Sequence, residues 1–167
     1  MLYSKVSDFL SDWKSDSEST LKIFGALTEK SLSQAVTPGE RTIGTIAWHI
    51  TTTVPEMVKR TGLTIDNFDE KKEAPDNVNT IIDSYKYFAQ KLAAEIESKW
   101  KDEDLEKEVN MYGEMWKNGM TLQILIAHQI HHRGQLTVLM RQAGLKVPGI
   151  MGPSKEEWEA MGMPPQK

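Results

Sequence analysis

Three of the four histidines in the chain, His128, His131 and His132, fall in one run, IAHQIHHRGQL at 126–136. On a helix turning 100° per residue, His132 lies about 40° from His128 and Gln135 about 20° to the other side. Both imidazoles then stack one turn apart on a core-directed face, near enough to reach a common point. An HxxxH pair of this kind is a recurring way to hold a transition metal, since neutral imidazole nitrogen is a good donor to borderline cations. His131 sits about 60° from His128 and about 100° from His132. It is therefore expected at the surface or in support, not as the third ligand.

Two ligands do not make a stable site, and in a helical protein the third must come from another helix. His49, in TIAWHI, is the histidine that remains. It shares a helical face with Thr45, Ile46, Thr53 and, if the helix passes Pro55, Glu56. That face is mostly apolar and hence core-directed, where an imidazole needs hydrogen-bond partners or a metal. Three imidazoles leave positions open for water or substrate, as catalytic metal sites do and closed structural ones do not. Zinc, nickel, copper and iron all suit imidazole, and the residues do not choose among them. Spacing alone leaves a plainer alternative open, in which the histidines are satisfied by packing or lie on the surface. The candidate catalytic helpers are Glu56, Gln135 and Tyr112. Tyr112, Trp116 and the 145–152 loop could form a lid. Gln135 and Arg133 are candidate substrate contacts, although Arg133 falls away from the histidine face and is better suited to interhelical pairing or a subunit contact.

The elements that must position these residues follow from periodicity. Apolar residues recur at three- and four-residue steps over 2–30, with Ser17 as a polar interruption, and predict a first helix. TPGE at 37–40 is turn chemistry. A second helix runs from about Thr42 into the high fifties, with Pro55 expected to bend it or end it near Thr51 to Val54. The polar stretch 61–77 reads as a loop. A third helix spans about 78–100, with a cap at Asn77 or Asn79. The charge run that opens 101–118 is expected to be solvated, and its second half to form an extended segment or short hairpin. A fourth helix spans about 119–143 and stops at Gly144. Ser154 begins a short helix with a capping box. Four long amphipathic segments without convincing strands indicate an all-α four-helix bundle, a single domain over 1–167. Trp13, Trp48 and Trp100 are expected in its core. Ile126 and Ile130 lie about 160° and 200° from His128, where a surface helix should be polar. The fourth helix is therefore expected to be covered on its back, by another helix or by a second subunit in a homodimer.

Composition bounds the partners. A net charge of −4 and a pI near 5.6 lack the basic footprint of a nucleic-acid binder. With no cysteine, neither disulfides nor a protein thiolate can contribute. The serine- and charge-bearing N-terminus does not read as a signal peptide, and no apolar run is long enough to span a membrane. Cytoplasm is the expected location.

ERTIGTIAWHI followed by AHQIHHRGQLTVLMRQAG resembles the DinB-like (YfiT-like) family over most of the chain, and the HxxHHRGQ run is more specific than a bare HxxxH. The resemblance implies an up-down-down-up four-helix bundle, often dimeric, with nickel or zinc held by His49, His128 and His132; His131 belongs to the motif but is not implied as a ligand. It also implies thiol-dependent S-transfer or isomerisation, with a low-molecular-weight thiol such as bacillithiol, mycothiol or glutathione as cosubstrate. Induction by DNA damage, from which the family takes its name, concerns gene regulation and not chemistry. The competing expectation is a non-catalytic, metal-binding, dimeric stress-response protein, whose site would recruit Glu56 or His131 as a fourth ligand.

Overall fold

Four long helices carry about half of the chain in the computed structural model, which describes residues 2–164. The first, α1 (Val6–Phe24), is shorter than its periodicity predicts. Residues before it are extended, and the backbone N–H of Val6 donates to Asp102 Oδ1 at 2.8 Å instead of to an earlier turn. At the other end Gly25 closes the helix, and Thr28 opens a separate 3₁₀ turn, Glu29–Ser33, through a reciprocal cap with Ser31. The apolar repeat continues past Phe24 because Leu27 and Leu32 still face the core, although the helix itself has stopped.

Helix α2 (Ile43–Lys59) starts at Thr42, whose hydroxyl accepts the Thr45 N–H while the Thr45 hydroxyl accepts the Thr42 N–H. Contrary to one of the expected outcomes, Pro55 does not end it. A proline removes one helical N–H and crowds the carbonyl four residues back. Here the turn before the proline is held from two sides. Thr51, Thr52 and Thr53 donate to the carbonyls of Ala47, Trp48 and His49 at 2.9, 3.0 and 2.7 Å, and Gln129 Nε2 reaches the Ile50 carbonyl at 3.1 Å.

Helix α3 (Val78–Lys99) is capped by Asn77, whose Oδ1 accepts from the Thr80 N–H at 2.9 Å. A 3₁₀ turn at Asp102–Glu106 leads into an antiparallel hairpin, β1 (Glu108–Met111) with β2 (Glu114–Lys117). The hairpin was one of the two expected forms, and it corrects the reading of the chain as free of strands. Its two-residue turn places Tyr112 and Gly113 at φ 57° and 95°, the left-handed pair that matches strand twist. Helix α4 (Asn118–Gln142) ends with Gly144 at φ 74° and the Leu145 N–H on the Met140 carbonyl at 2.9 Å, a Schellman closure. A short α5 (Lys155–Ala160) has the expected Ser154–Glu157 capping box.

Helices α1 and α2 each pack against both α3 and α4. The residues that meet between them, among them Phe9, Trp13, Ile50, Ile81, Tyr85, Leu92, Leu125 and Leu136, are almost fully removed from water. Trp13 and Trp48 lie in this core with their indole N–H groups on the carbonyls of Ala89 and Lys72, and Trp100 packs at its edge. On the back of α4, Ile126 is half-buried against the core while Ile130 is exposed. Among the described residues no helix is long and apolar enough to cross a membrane.

Candidate metal centre

The expected periodicity of α4 holds through its middle. His128 and His132 emerge one turn apart from the same face as the buried Thr121, Leu125 and Leu139. Opposite them, α2 presents His49 from a helix whose neighbouring side chains, Ile46, Trp48, Ile50 and Thr53, are all buried. The pairing of α2 with α4 brings the three rings together. His128 Nε2 lies 3.1 Å from His49 Nε2 and 3.1 Å from His132 Nε2, and one ligand nitrogen from each residue lies within 4.8 Å of the others. His132 is buried and the other two are half-buried.

Protons alone cannot satisfy this arrangement. His132 Nδ1 is 2.7 Å from Gln135 Oε1, an acceptor, so Nδ1 carries the hydrogen and Nε2 a lone pair. His128 Nε2 can offer one hydrogen at most, to two neighbours. Its Nδ1 is buried without a hydrogen-bond partner whichever nitrogen carries the proton. A cation accepts all three lone pairs at once. Nitrogen ligands at about 2.0–2.1 Å from a metal lie roughly 3.0–3.4 Å apart when adjacent in its coordination sphere, which is the spacing of the two close pairs. The donor set, the spacing and the tautomer of His132 therefore fit a divalent transition metal.

Burial is the first cause that lowers the proton affinity of these groups, with the charges of neighbouring histidines and of Arg41 adding to it. His49 and His128 are each brought down to about 4, and His132 is lowered as well. Each group is thus neutral in the fold at a pH where the unfolded chain, with ordinary imidazoles near 6.5, takes up protons. The unfolded state binds more protons between these limits, so stability rises with pH across that window. Metal-free protein is expected to lose stability steadily from about pH 6.5 to 4, measured by urea unfolding. In the triple variant carrying alanine at His49, His128 and His132, that slope should largely vanish.

The remaining expected residues separate by position. Gln135 is not free to contact substrate through its oxygen: its amide bridges His132 Nδ1 and His131 Nε2, the latter at 3.2 Å. It orients the His132 ring, and a partner that holds a metal-binding imidazole in this way typically carries about 10–100-fold in metal affinity. Gln135→Ala is expected to weaken metal binding by that order in a competitive chelator titration; unchanged affinity would remove Gln135 from this role. His131 is exposed, consistent with the reading that set it apart from the ligands. Glu56 lies beyond Pro55 on the continued helix, but its carboxylate is taken. Tyr112 Oη donates to Glu56 Oε2 at 2.6 Å, and Arg60 holds Oε1 at 3.0 and 3.1 Å while its guanidinium stacks on the Tyr112 ring at 4.6 Å. Burial and this bond push the Tyr112 hydroxyl up to about 12, so it stays a donor. Tyr112 and Trp116 pack edge to face in the hairpin, which is thereby fastened to α2. Residues 145–152 are held instead by α1 and α5: Gly149 accepts from Lys22 Nζ at 2.7 Å and donates to Glu157 at 3.0 Å. Arg133 is paired between helices, with Asp16 of α1 at 2.5 Å.

Two residues were missed from sequence. Gln129 is buried and ties α4 to the backbone just after His49; a polar residue on the core face one position past His128 was its signal. Arg41 stands one residue before the Thr42 cap. With Gln135 it lines a cleft of ≈ 630 Å³ between the start of α2 and the second half of α4.

Helices that face each other with three imidazoles converging on one point make this a mostly helical scaffold whose histidine cluster could hold a metal ion. A family model described as the DinB family matches residues 1–167. The chain is 39% identical over 162 residues to the uncharacterized protein YrdA of Bacillus subtilis (strain 168), covering 97% of both chains. The crystal structure of a DinB-like protein from Bacillus cereus ATCC 10987 superposes with a TM-score of 0.86 at 41% identity, over 89% of this chain and 99% of that one. A second DinB-like structure, YjoA of Bacillus subtilis, shares the fold at a TM-score of 0.68 and 20% identity, over 86% of this chain and 97% of that one. This chain belongs to the DinB family.

Proposed function

We propose that the chain is a divalent-metal-dependent enzyme in which His49, His128 and His132 hold one nickel or zinc ion, and in which a low-molecular-weight thiol, or water, is the nucleophile. One observation carries the reading: three ring nitrogens from two helices converge, and among the described residues no fourth protein ligand joins them. The two residues that would have closed the site are engaged elsewhere, Glu56 by Tyr112 and Arg60, and His131 by Gln135.

A bound ion supplies positive charge that lowers the pKa of a thiol or water beside it. The chain supplies the positioning. Gln135 holds His132 in the tautomer whose Nε2 faces the centre, and Gln129 keeps α2 and α4 in register. Because the chain has no cysteine, the sulfur comes from a cosubstrate. In S-transfer the thiol proton passes to solvent, a sulfur–carbon bond forms on the electrophile, and the leaving group departs with its bonding pair. The reading includes an up-down-down-up helix order, a cytoplasmic setting and a homodimer. Exposed Ile130 on the outer face of α4 supports the last. Sedimentation at micromolar concentration is expected to show a dimer, and monomer alone would count against it.

The direct test incubates metal-loaded protein with 1-chloro-2,4-dinitrobenzene and, in turn, bacillithiol, mycothiol, glutathione and cysteine. Thioether and chloride should form above the protein-free rate with at least one thiol, and the excess should disappear on chelation. Full metal occupancy with no turnover by any thiol would favour the non-catalytic metal-binding alternative.

A further inference from the structure

The chain has four arginines, at 41, 60, 133 and 141. Three of them hold carboxylates: Arg60 with Glu56, Arg133 with Asp16 and Arg141 with Glu156. Arg41 is the exception. It is exposed, and among the described residues its side chain makes neither an ion pair nor a hydrogen bond. A guanidinium fork is strongly suited to bidentate pairing with a carboxylate, so its isolation here is informative.

Its position adds to this. Arg41 lines the ≈ 630 Å³ cleft together with Gln135, whose amide oxygen is 2.7 Å from His132 Nδ1. Gln135 thus stands between the cleft, which no histidine lines, and the histidine cluster. The walls are mostly aliphatic: Ile46 and Leu139 are buried beneath, and Val138 is 56% exposed at the side. Glu40 also lines the cleft and has no ion-pair partner among the described residues. Its negative charge opposes every anionic group near it, so the cleft tolerates at most the one carboxylate that Arg41 offsets.

We infer that the cleft between the start of α2 and the second half of α4 is a substrate subsite that takes a small organic monocarboxylate. The carboxylate sits on Arg41, and the aliphatic body lies on Ile46, Val138 and Leu139, directed toward the histidine cluster. Its place next to a reactive centre rests on the proposed metal-dependent function; the carboxylate recognition itself does not require the metal.

The test uses the full chain as isolated, with metal content measured on the same samples. Four-to-eight-carbon monocarboxylates, straight-chain and phenyl-terminated, are titrated beside their own carboxamides and followed by NMR. Side-chain signals of Gln135, Val138 and Leu139 are the reporters. At least one acid is expected to bind roughly tenfold or more tightly than its amide, as a charge-assisted pair requires, and to shift those signals. Arg41→Gln is expected to abolish the preference while metal content stays at the wild-type level. Acid and amide binding equally, no acid binding, or a preference that persists in Arg41→Gln because the carboxylate sits on the metal would each overturn the assignment. Absence of metal from the wild type would instead overturn the metal reading, and the acid–amide comparison would still decide the role of Arg41.

Discussion

His128→Ala, and separately His49→Ala, are expected to leave the protein folded and almost without metal. Each removes one of three converging nitrogens from a site that has no spare protein ligand among the described residues. Tight four-ligand zinc sites gain about 10–16 kcal/mol on binding, so a single ligand carries roughly 3 kcal/mol, or about 10²-fold in affinity. The two variants should agree despite lying on different helices, because either leaves a two-nitrogen site. The measurement is elemental analysis by mass spectrometry on untagged protein, after growth with nickel, zinc and manganese supplied. Near one ion per chain in the wild type, lost in both variants, is the expected result. Wild-type occupancy in His49→Ala would show that α4 binds metal alone and would remove the interhelical site.

Asp16→Ala is expected to destabilise the protein by about 3–5 kcal/mol, because it leaves the Arg133 guanidinium buried without its counter-charge. Arg133 is 5% exposed and Asp16 8%. They meet at 2.5 Å, and Arg133 also donates to the Asp16 carbonyl at 3.1 Å and to Thr20 Oγ1 at 2.7 Å. Such a pair is costly to break but gives little net gain over apolar packing, since both ions give up their hydration. The double variant Asp16→Leu with Arg133→Met should therefore recover most of the loss. Urea unfolding of the three proteins decides it. A loss below about 1 kcal/mol in Asp16→Ala would mark the pair as solvated, with the energy of a surface ion pair. Because Arg133 directly follows His132, the pair also sets the rotation of α4, and the double variant is expected to lower metal affinity even where stability returns.

What was legible in the sequence is what a single helix encodes. The 3.6-residue repeat places His128 and His132 on one face of α4 and leaves His131 off it, and it does so without any knowledge of the partner helix. The caps at Thr42, Asn77 and Ser154 and the stop at Gly144 are equally local, since each satisfies backbone groups within a few residues. Even these signals mislead where a local rule meets a tertiary one. The apolar repeat carried the first helix on to residue 30, whereas Gly25 ends it and a 3₁₀ turn continues the buried face. Pro55 offers a stop for α2 near Thr51 to Val54, yet the helix carries Glu56 onward, with threonine hydroxyls and Gln129 on the carbonyls of the preceding turn.

Contacts between elements were beyond reach. Periodicity showed that His49 faced the core, but not that it lay 3.1 Å from His128, because that distance depends on the axial register and rotation of two packed helices. The same dependence hid the capture of Glu56 by a hairpin tyrosine, the bridging role of Gln135 and the partner of Arg133. The sequence by itself determined which residues could do chemistry and on which faces they stood. The packing of α2 on α4 decided which of them meet, because side-chain identity is set along the chain while convergence is set across it.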